Sequence, residues 1–194
     1  MGLFVDKMIL KYIPNILTLI RLVLIAPFLV SLYQGSYVYA FYFFILAGCT
    51  DALDGSLARY FHWQSLFGSF IDPLADKLLI ASSFISLALI GILPWWLVIL
   101  VFLRDLTISF GVVAWYVIVK RELDFKPTAL SKINTFLQLM LLVSCLFELA
   151  FFKLLPNLNE ILILLTTITT TITFVDYVWT WGKKAYNDVR LINE

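Results

Sequence analysis

The chain has 194 residues, of which 62% are hydrophobic, 16% aromatic and 14% charged, with a formal net charge of +1. Soluble globular domains carry about 25% charged residues, so this composition excludes an ordinary soluble protein and indicates an integral membrane protein. The net charge of +1 gives no indication of a nucleic-acid partner, and two cysteines with one histidine give no basis for a disulfide framework or a thiolate metal site.

Six apolar segments are long enough to cross a bilayer, which requires about 20 residues. They cover about Ile13–Leu32, Tyr37–Arg59, Phe70–Ile90, Pro94–Val119, Thr128–Phe151 and Leu158–Trp181. Short links predict antiparallel neighbours. We therefore predict an all-α integral membrane protein with six transmembrane helices in a single membrane domain over residues 1–194. Residues 1–11 mix apolar and charged side chains and are predicted to form a short interfacial helix, with a frayed terminus as the alternative. Residues 12–185 are predicted to form a six-helix bundle and 186–194 a cytoplasmic tail.

Lysine and arginine predict the orientation of these segments. They collect before the first segment, in the links after the second and fourth segments, and after the sixth segment, whereas the opposite links carry only Lys153. Because positively charged loops stay in the cytoplasm, both termini are expected there. No arginine-rich transit segment precedes the first span, which favours a bacterial inner membrane over a mitochondrial inner membrane.

Four aspartates, Asp51, Asp54, Asp72 and Asp76, lie in or beside the second and third segments. A carboxylate within the membrane costs about 2.5 to 3.5 kcal/mol even on insertion scales, so such residues are usually functional. Residues three or four apart share a helix face. Since the second and third segments are antiparallel neighbours, we expect all four carboxylates to converge at the cytoplasmic end of the bundle.

Four converging carboxylates repel one another unless positive charge neutralises them, and Arg59 and Lys77 alone are too few to do so. We therefore expect divalent cations, and ligands that are all oxygen suit Mg²⁺, Mn²⁺ or Ca²⁺ and not Zn²⁺. Four carboxylates are enough for two metal ions per site. Gly55, Ala58 and Gly68 flank the acidic face and would leave a slot beside the metals, although small residues also serve close helix packing.

The window from Asp51 to Asp76 resembles the signature of the CDP-alcohol phosphotransferases. That signature reads Asp-x2-Asp-Gly-x2-Ala-Arg-x8-Gly-x3-Asp-x3-Asp, and the chain matches every fixed position. The resemblance implies a homodimer with a cytoplasm-facing cavity and transfer of a substituted phosphate from a CDP-linked donor to an alcohol, releasing CMP. It also implies a metal cluster of Asp51, Asp54, Asp72 and Asp76, with Mg²⁺ or Mn²⁺, and Asp76 as general base. The implied CDP-binding residues are Asp54, Gly55, Ala58, Arg59 and Gly68.

The second half of the chain bears on the acceptor alcohol. In phosphatidylglycerophosphate synthases of this family, several bases surround the dianionic glycerol 3-phosphate. Here Asn134 and Val112 stand where a lysine and an arginine are usual, and Arg104 and Lys132 remain as the implied acceptor-binding residues. Two positive charges suit a phosphodiester, and the sequence around Lys132 resembles the mitochondrial-type cardiolipin synthases. The resemblance therefore implies lipid substrates, CDP-diacylglycerol and phosphatidylglycerol, for cardiolipin synthesis.

Several alternatives stay open. Phosphatidylglycerophosphate synthesis is the second expectation for the function, and an ion-coupled transporter is a remote third. Arg104 either binds an anion or pairs with Asp105 or Asp176, and Arg21 on the first segment either makes a polar contact in the cavity or pairs with an aspartate. The threonines of the sixth segment are expected to bond to another helix or to their own backbone.

Overall fold

The computed structural model describes the backbone of residues 13–61, 66–119 and 128–192, and the side chains of residues 16–51, 53, 74–111 and 128–180. Six α-helices make up nearly all of this backbone: α1 Ile13–Tyr33, α2 Tyr37–Phe61, α3 Leu66–Leu89, α4 Trp95–Val119, α5 Ala129–Ala150 and α6 Leu158–Ile192. The described residues contain no β-strand, so the all-α prediction is confirmed. The interfacial helix predicted over residues 1–11 lies outside the described residues.

The helices are apolar enough for a bilayer. Three stretches could each cross a membrane by length and composition, namely Ile16–Tyr33, Ala129–Ala150 and Leu158–Thr180, and α2 begins with a shorter one, Tyr37–Asp51. Large apolar side chains are exposed, as expected where lipid replaces water; Leu19 is 61% and Phe110 is 68% exposed. The chain is an integral membrane protein, and the count of six spans stays a prediction. Helix α6 continues to Ile192, past the predicted end of the sixth span, so the predicted tail is helical through that residue.

Two helices end in the same glycine cap. Gly35 and Gly91 have positive φ angles of 73° and 80°. After α1, the Ser36 amide donates to the Ser31 carbonyl at 2.9 Å, and after α3, the Ile92 amide donates to the Leu87 carbonyl at 2.9 Å. This six-to-one bond defines a Schellman motif, which satisfies carbonyls that a helix end leaves without partners. The two tight links, α1 to α2 and α3 to α4, therefore follow directly from glycine in the sequence.

The chain forms two compact units, and the first contains α1, α2, α3 and Leu142–Leu154. Helix α1 packs against both α2 and α3. The rings of Phe28 on α1 and Phe44 on α2 are 5.8 Å apart between centroids, and Ala40 and Ala47 of α2 are fully buried. Small residues allow helices to approach closely, which is the main source of packing energy between helices in lipid.

The second unit contains α4, α5 as far as Leu141, and α6. Helices α4 and α6 pack against each other. The buried face of α6 is a stripe of polar residues at helical spacing: Thr166, Thr170, Thr173 and Tyr177. Burial of a threonine hydroxyl is tolerated when it donates to its own backbone, as Thr173 does to the Thr169 carbonyl at 2.7 Å. The prediction for the threonines of the sixth segment is confirmed for Thr167, Thr169, Thr170, Thr171 and Thr173. The hydroxyl of Thr166 is buried without a hydrogen-bond partner in the described part of the chain.

Replacement of Gly91 by alanine should lower the free energy of unfolding by about 1 to 2 kcal/mol, because a Cβ atom disfavours a positive φ. An added Cβ atom would meet nothing within 4 Å at Gly91, so the loss would report the backbone alone. Gly48, inside α2, is the matched control because its added Cβ atom also meets nothing. There alanine should stabilise by about 0.5 to 1 kcal/mol. Unfolding in detergent micelles with denaturant would measure both, and destabilisation of equal size at both positions would contradict the argument.

Candidate active site

One arginine joins α1, α2 and α3 in the first unit. Arg21 lies on α1, and its Nη2 atom is 2.9 Å from Oδ1 of Asp51 on α2. Its Nη1 atom donates a hydrogen bond to Oδ1 of Asp76 on α3. The first and the last of the four predicted metal ligands therefore meet at a single guanidinium.

The arginine is buried and its carboxylate partners are accessible. The Arg21 side chain is 0% exposed, whereas the side chains of Asp51 and Asp76 are 48% and 39% exposed. A buried guanidinium without hydrogen-bond acceptors would cost several kcal/mol, so these contacts make its burial possible. Because the carboxylates of Asp51 and Asp76 are accessible, a polar molecule could reach them.

The other residues of the signature are placed only by their backbones. Asp54, Gly55, Ala58 and Arg59 lie on α2, in the same helix as Asp51, and Gly68 and Asp72 lie on α3, in the same helix as Asp76. Helical spacing at each pair of aspartates thus agrees with the prediction. The side chains of these six residues lie outside the described part of the chain, so their assigned roles stay predictions.

The described carboxylate ligands, Asp51 and Asp76, fit a hard divalent cation. Asp51 and Asp76 bring carboxylate oxygens from two helices to one point, and oxygen donors are what Mg²⁺ and Mn²⁺ prefer. Within the described side chains, no group of three or more His, Cys, Asp or Glu residues comes together. A complete metal site would therefore depend on Asp54 and Asp72.

The role of Arg21 as a counter-ion could be anticipated only in part. The sequence offered a pairing with an aspartate as one of two alternatives, and the structure confirms that alternative with two partners at once. The positive charge available to the acidic cluster is therefore larger than the Arg59 and Lys77 expected from the sequence, because Arg21 contacts two of its carboxylates. The signal for this pairing is an arginine in the middle of an apolar span, because such a residue must find an anion.

A second buried arginine organises the other unit. Arg104 on α4 donates from Nη1 to Oδ1 of Asp105 at 2.7 Å and from Nη2 to the Ser131 hydroxyl on α5 at 2.5 Å. Its guanidinium carbon lies 5.8 Å from the ring centroid of Tyr177 on α6, within range of a cation–π contact. Of the two aspartates expected as possible partners of Arg104, Asp105 is the one that it contacts in the structure. Asp176 is exposed. The Nε atom of Arg104 is buried without a hydrogen-bond partner in the described part of the chain.

Two further positions in this unit concern the acceptor. Lys132 is exposed, next to Ser131 on α5. Asn134 is fully buried, and its Oδ1 atom accepts hydrogen bonds from the hydroxyls of Thr169 and Thr170 on α6, each at 2.8 Å. Asn134 is therefore part of a neutral polar contact between two helices. The side chain of Val112 lies outside the described part of α4.

Comparison with known proteins gives one family. The family model for CDP-alcohol phosphatidyltransferase matches residues 11–173. A probable phosphatidylglycerophosphate synthase of Mycobacterium tuberculosis is 37% identical over 170 residues, which covers 84% of this chain and 78% of that protein.

Other relatives carry a different name. A probable cardiolipin synthase (CMP-forming) of Drosophila melanogaster is 41% identical over 143 residues, covering 66% of this chain and 44% of that protein. The human cardiolipin synthase (CMP-forming) is 30% identical over 196 residues, covering 92% of this chain and 64% of that protein. The matched region includes α1 to α5, the whole acidic signature and both buried arginines. The chain therefore belongs to the CDP-alcohol phosphatidyltransferase family, and it is an integral membrane enzyme of that class.

Proposed function

We propose that this enzyme is a cardiolipin synthase, which transfers the phosphatidyl group of CDP-diacylglycerol to a glycerol hydroxyl of phosphatidylglycerol and releases CMP. This proposal rests on the presence of an uncharged residue at position 134. Asn134 is buried and bonded to two threonine hydroxyls where phosphatidylglycerophosphate synthases usually have a lysine. The names of the Drosophila and human relatives support the same activity.

The charge of the acceptor is the physical basis. Glycerol 3-phosphate is a phosphomonoester that carries nearly two negative charges at neutral pH, and its recognition requires several bases. Phosphatidylglycerol is a phosphodiester with one negative charge. Arg104 and Lys132 are the proposed acceptor-binding residues, and the contacts of Arg104 with Asp105 already offset part of its charge. The remaining positive charge suits a monoanion better than a dianion.

The proposed reaction takes place at the acidic cluster. Asp76 would accept the proton of the attacking glycerol hydroxyl, whose oxygen forms a new bond to the phosphorus atom of the phosphatidyl group. The bond from this phosphorus to the bridging oxygen of CMP breaks, and the electron pair leaves with CMP. Proximity supplies most of the benefit, because a carboxylate is a weak base. Asp54, Gly55, Ala58, Arg59 and Gly68 are the proposed contacts to the CDP group.

The proposed cofactor is Mg²⁺ or Mn²⁺, two ions per active site, held by Asp51, Asp54, Asp72 and Asp76. When bound, such ions would neutralise the pyrophosphate of the donor and stabilise the departing CMP. Access by a soluble nucleotide product is easiest if the cluster faces the cytoplasm, as the distribution of lysine and arginine predicts. A homodimer in a bacterial inner membrane completes the proposal.

Phosphatidylglycerophosphate synthesis is the second candidate. It is favoured by the relative of that name from Mycobacterium tuberculosis, which covers 84% of this chain. The donor, the leaving group and the acidic cluster would be unchanged, and only the acceptor would differ.

A direct assay of the acceptor separates the two candidates. Purified protein would receive CDP-diacylglycerol, Mg²⁺ or Mn²⁺, and either phosphatidylglycerol or glycerol 3-phosphate, and lipid products would be identified by mass. We expect cardiolipin and CMP from phosphatidylglycerol, with roughly a tenfold or greater preference, since each missing hydrogen bond to a charged group forfeits about 1.5 to 3 kcal/mol. A reaction without any acceptor gives the background of donor hydrolysis. Phosphatidylglycerophosphate as the main product would establish the second candidate.

Isosteric replacement of the two described aspartates should separate metal binding from proton transfer. Asp51→Asn and Asp76→Asn should each lower kcat by about 100-fold or more. Asp76→Asn should keep its affinity for CDP-diacylglycerol within about threefold. Asp51→Asn should weaken this affinity further, because the sole proposed role of Asp51 is to hold the metal, whereas Asp76 is also the proposed base.

Glu160→Gln is the matched control, since this exposed carboxylate in the first turn of α6 lies outside the signature, and its kcat should not change. Binding of the donor can be measured with the acceptor omitted. An equal loss of donor affinity in the Asp51 and Asp76 variants would argue against a separate role for Asp76 as base.

A further inference from the structure

The position of Arg21 is unusual for a residue beside a metal cluster. A positively charged group is held in hydrogen-bond contact with Asp51 and Asp76, the two carboxylates that are also proposed to bind divalent cations. The guanidinium is 0% exposed, so its charge is not dissipated by water. A cation arriving at these carboxylates would therefore meet a positive charge already in place.

Electrostatics gives this charge two opposite effects. Without a divalent cation, two carboxylates on neighbouring helices repel each other, and a guanidinium between them converts the repulsion into attraction. With a divalent cation present, the same guanidinium repels the ion and occupies one oxygen of each carboxylate. Arg21 thus favours the assembled cluster when the metal is absent and weakens the binding of the metal.

We propose that Arg21 is an internal counter-ion which holds Asp51 and Asp76 together when no divalent cation is bound, and which competes with that cation for their oxygens. Arg21 is a positioning residue in this scheme, because it acts only through the two aspartates. The inference rests on the proposed metal role of the cluster, and it does not depend on which alcohol is the acceptor.

The second unit supplies a matched control. Arg104 is also a buried arginine, with 7% of its side chain exposed, and it also contacts a carboxylate and a neighbouring helix. Its carboxylate partner is Asp105, the adjacent residue on the same helix, which lies outside the acidic signature. Loss of Arg104 should therefore remove a buried ion pair without changing the binding of a metal.

The experiment compares Arg21→Gln, Arg21→Lys and Arg104→Gln in the full chain in detergent. The dissociation constant for Mn²⁺ would be measured by titration with detection of the free ion, and Tm would be measured in EDTA and in saturating Mn²⁺. We expect Arg21→Gln to bind Mn²⁺ about tenfold more tightly than the wild type, because one positive charge close to the ion is removed. Arg21→Lys keeps the positive charge but not the two separate donors of the guanidinium, so its dissociation constant should lie closer to the wild-type value than that of Arg21→Gln.

The thermal measurements give an independent readout. In EDTA, Arg21→Gln should lower Tm by about 5 °C or more, and Mn²⁺ should recover most of this loss by supplying the missing charge. Arg104→Gln should lower Tm by a similar amount in EDTA and in Mn²⁺ alike, with an unchanged affinity for Mn²⁺.

Three results would overturn the proposal: a dissociation constant that is unchanged or weaker in Arg21→Gln, a loss of Tm that Mn²⁺ does not reduce, or a variant that fails to fold even in saturating Mn²⁺. Absence of Mn²⁺ binding by the wild type would overturn the metal role of the cluster together with this inference. The identity of the lipid product is read in a separate assay, so failure here would leave the acceptor question untouched.

Discussion

The first unit depends on one interaction, the contact of the buried Arg21 guanidinium with the carboxylates of Asp51 and Asp76. A charge in an apolar environment is costly unless it is paired, and this one is paired with two carboxylates from two other helices. The contact fixes α1 against α2 and α3 at the same point that carries the acidic signature. Structure and chemistry in this unit therefore have the same origin: the carboxylates that the reaction needs are also the acceptors that the arginine needs.

The second unit uses the same principle with different partners. Arg104 contacts Asp105 on its own helix, the Ser131 hydroxyl on α5 and the ring of Tyr177 on α6. Asn134 adds a neutral link between α5 and α6 through two threonine hydroxyls. Between helices in lipid, where the hydrophobic effect gives no net attraction, such polar contacts and close packing supply the specificity. Among the described side chains, each unit thus has a buried arginine that donates hydrogen bonds to a neighbouring helix.

Much of this arrangement could be predicted from the sequence, because it follows from local rules. Apolar segment length predicts the helices, Gly35 and Gly91 mark where two of them end, and aspartates three or four residues apart lie on one helix face. Partners distant in sequence are a different matter. Arg21 and Asp76 are 55 residues apart, and nothing in the local pattern around Arg21 specifies which acidic residue it contacts. The same holds for Asn134, whose hydrogen bonds to Thr169 and Thr170 depend on the packing of α5 against α6 and not on spacing.

The pairing of Arg21 also bears on how the protein is made. The ribosome releases α1 first, and an arginine in the middle of that helix disfavours its transfer into lipid by about 2.5 to 3.5 kcal/mol on insertion scales. Asp51 on α2 and Asp76 on α3 are synthesised later, so the Arg21 charge on α1 is not paired with both carboxylates until α3 has emerged. Stable integration of α1 is therefore expected to coincide with the arrival of α3, which makes α1, α2 and α3 one unit of membrane insertion.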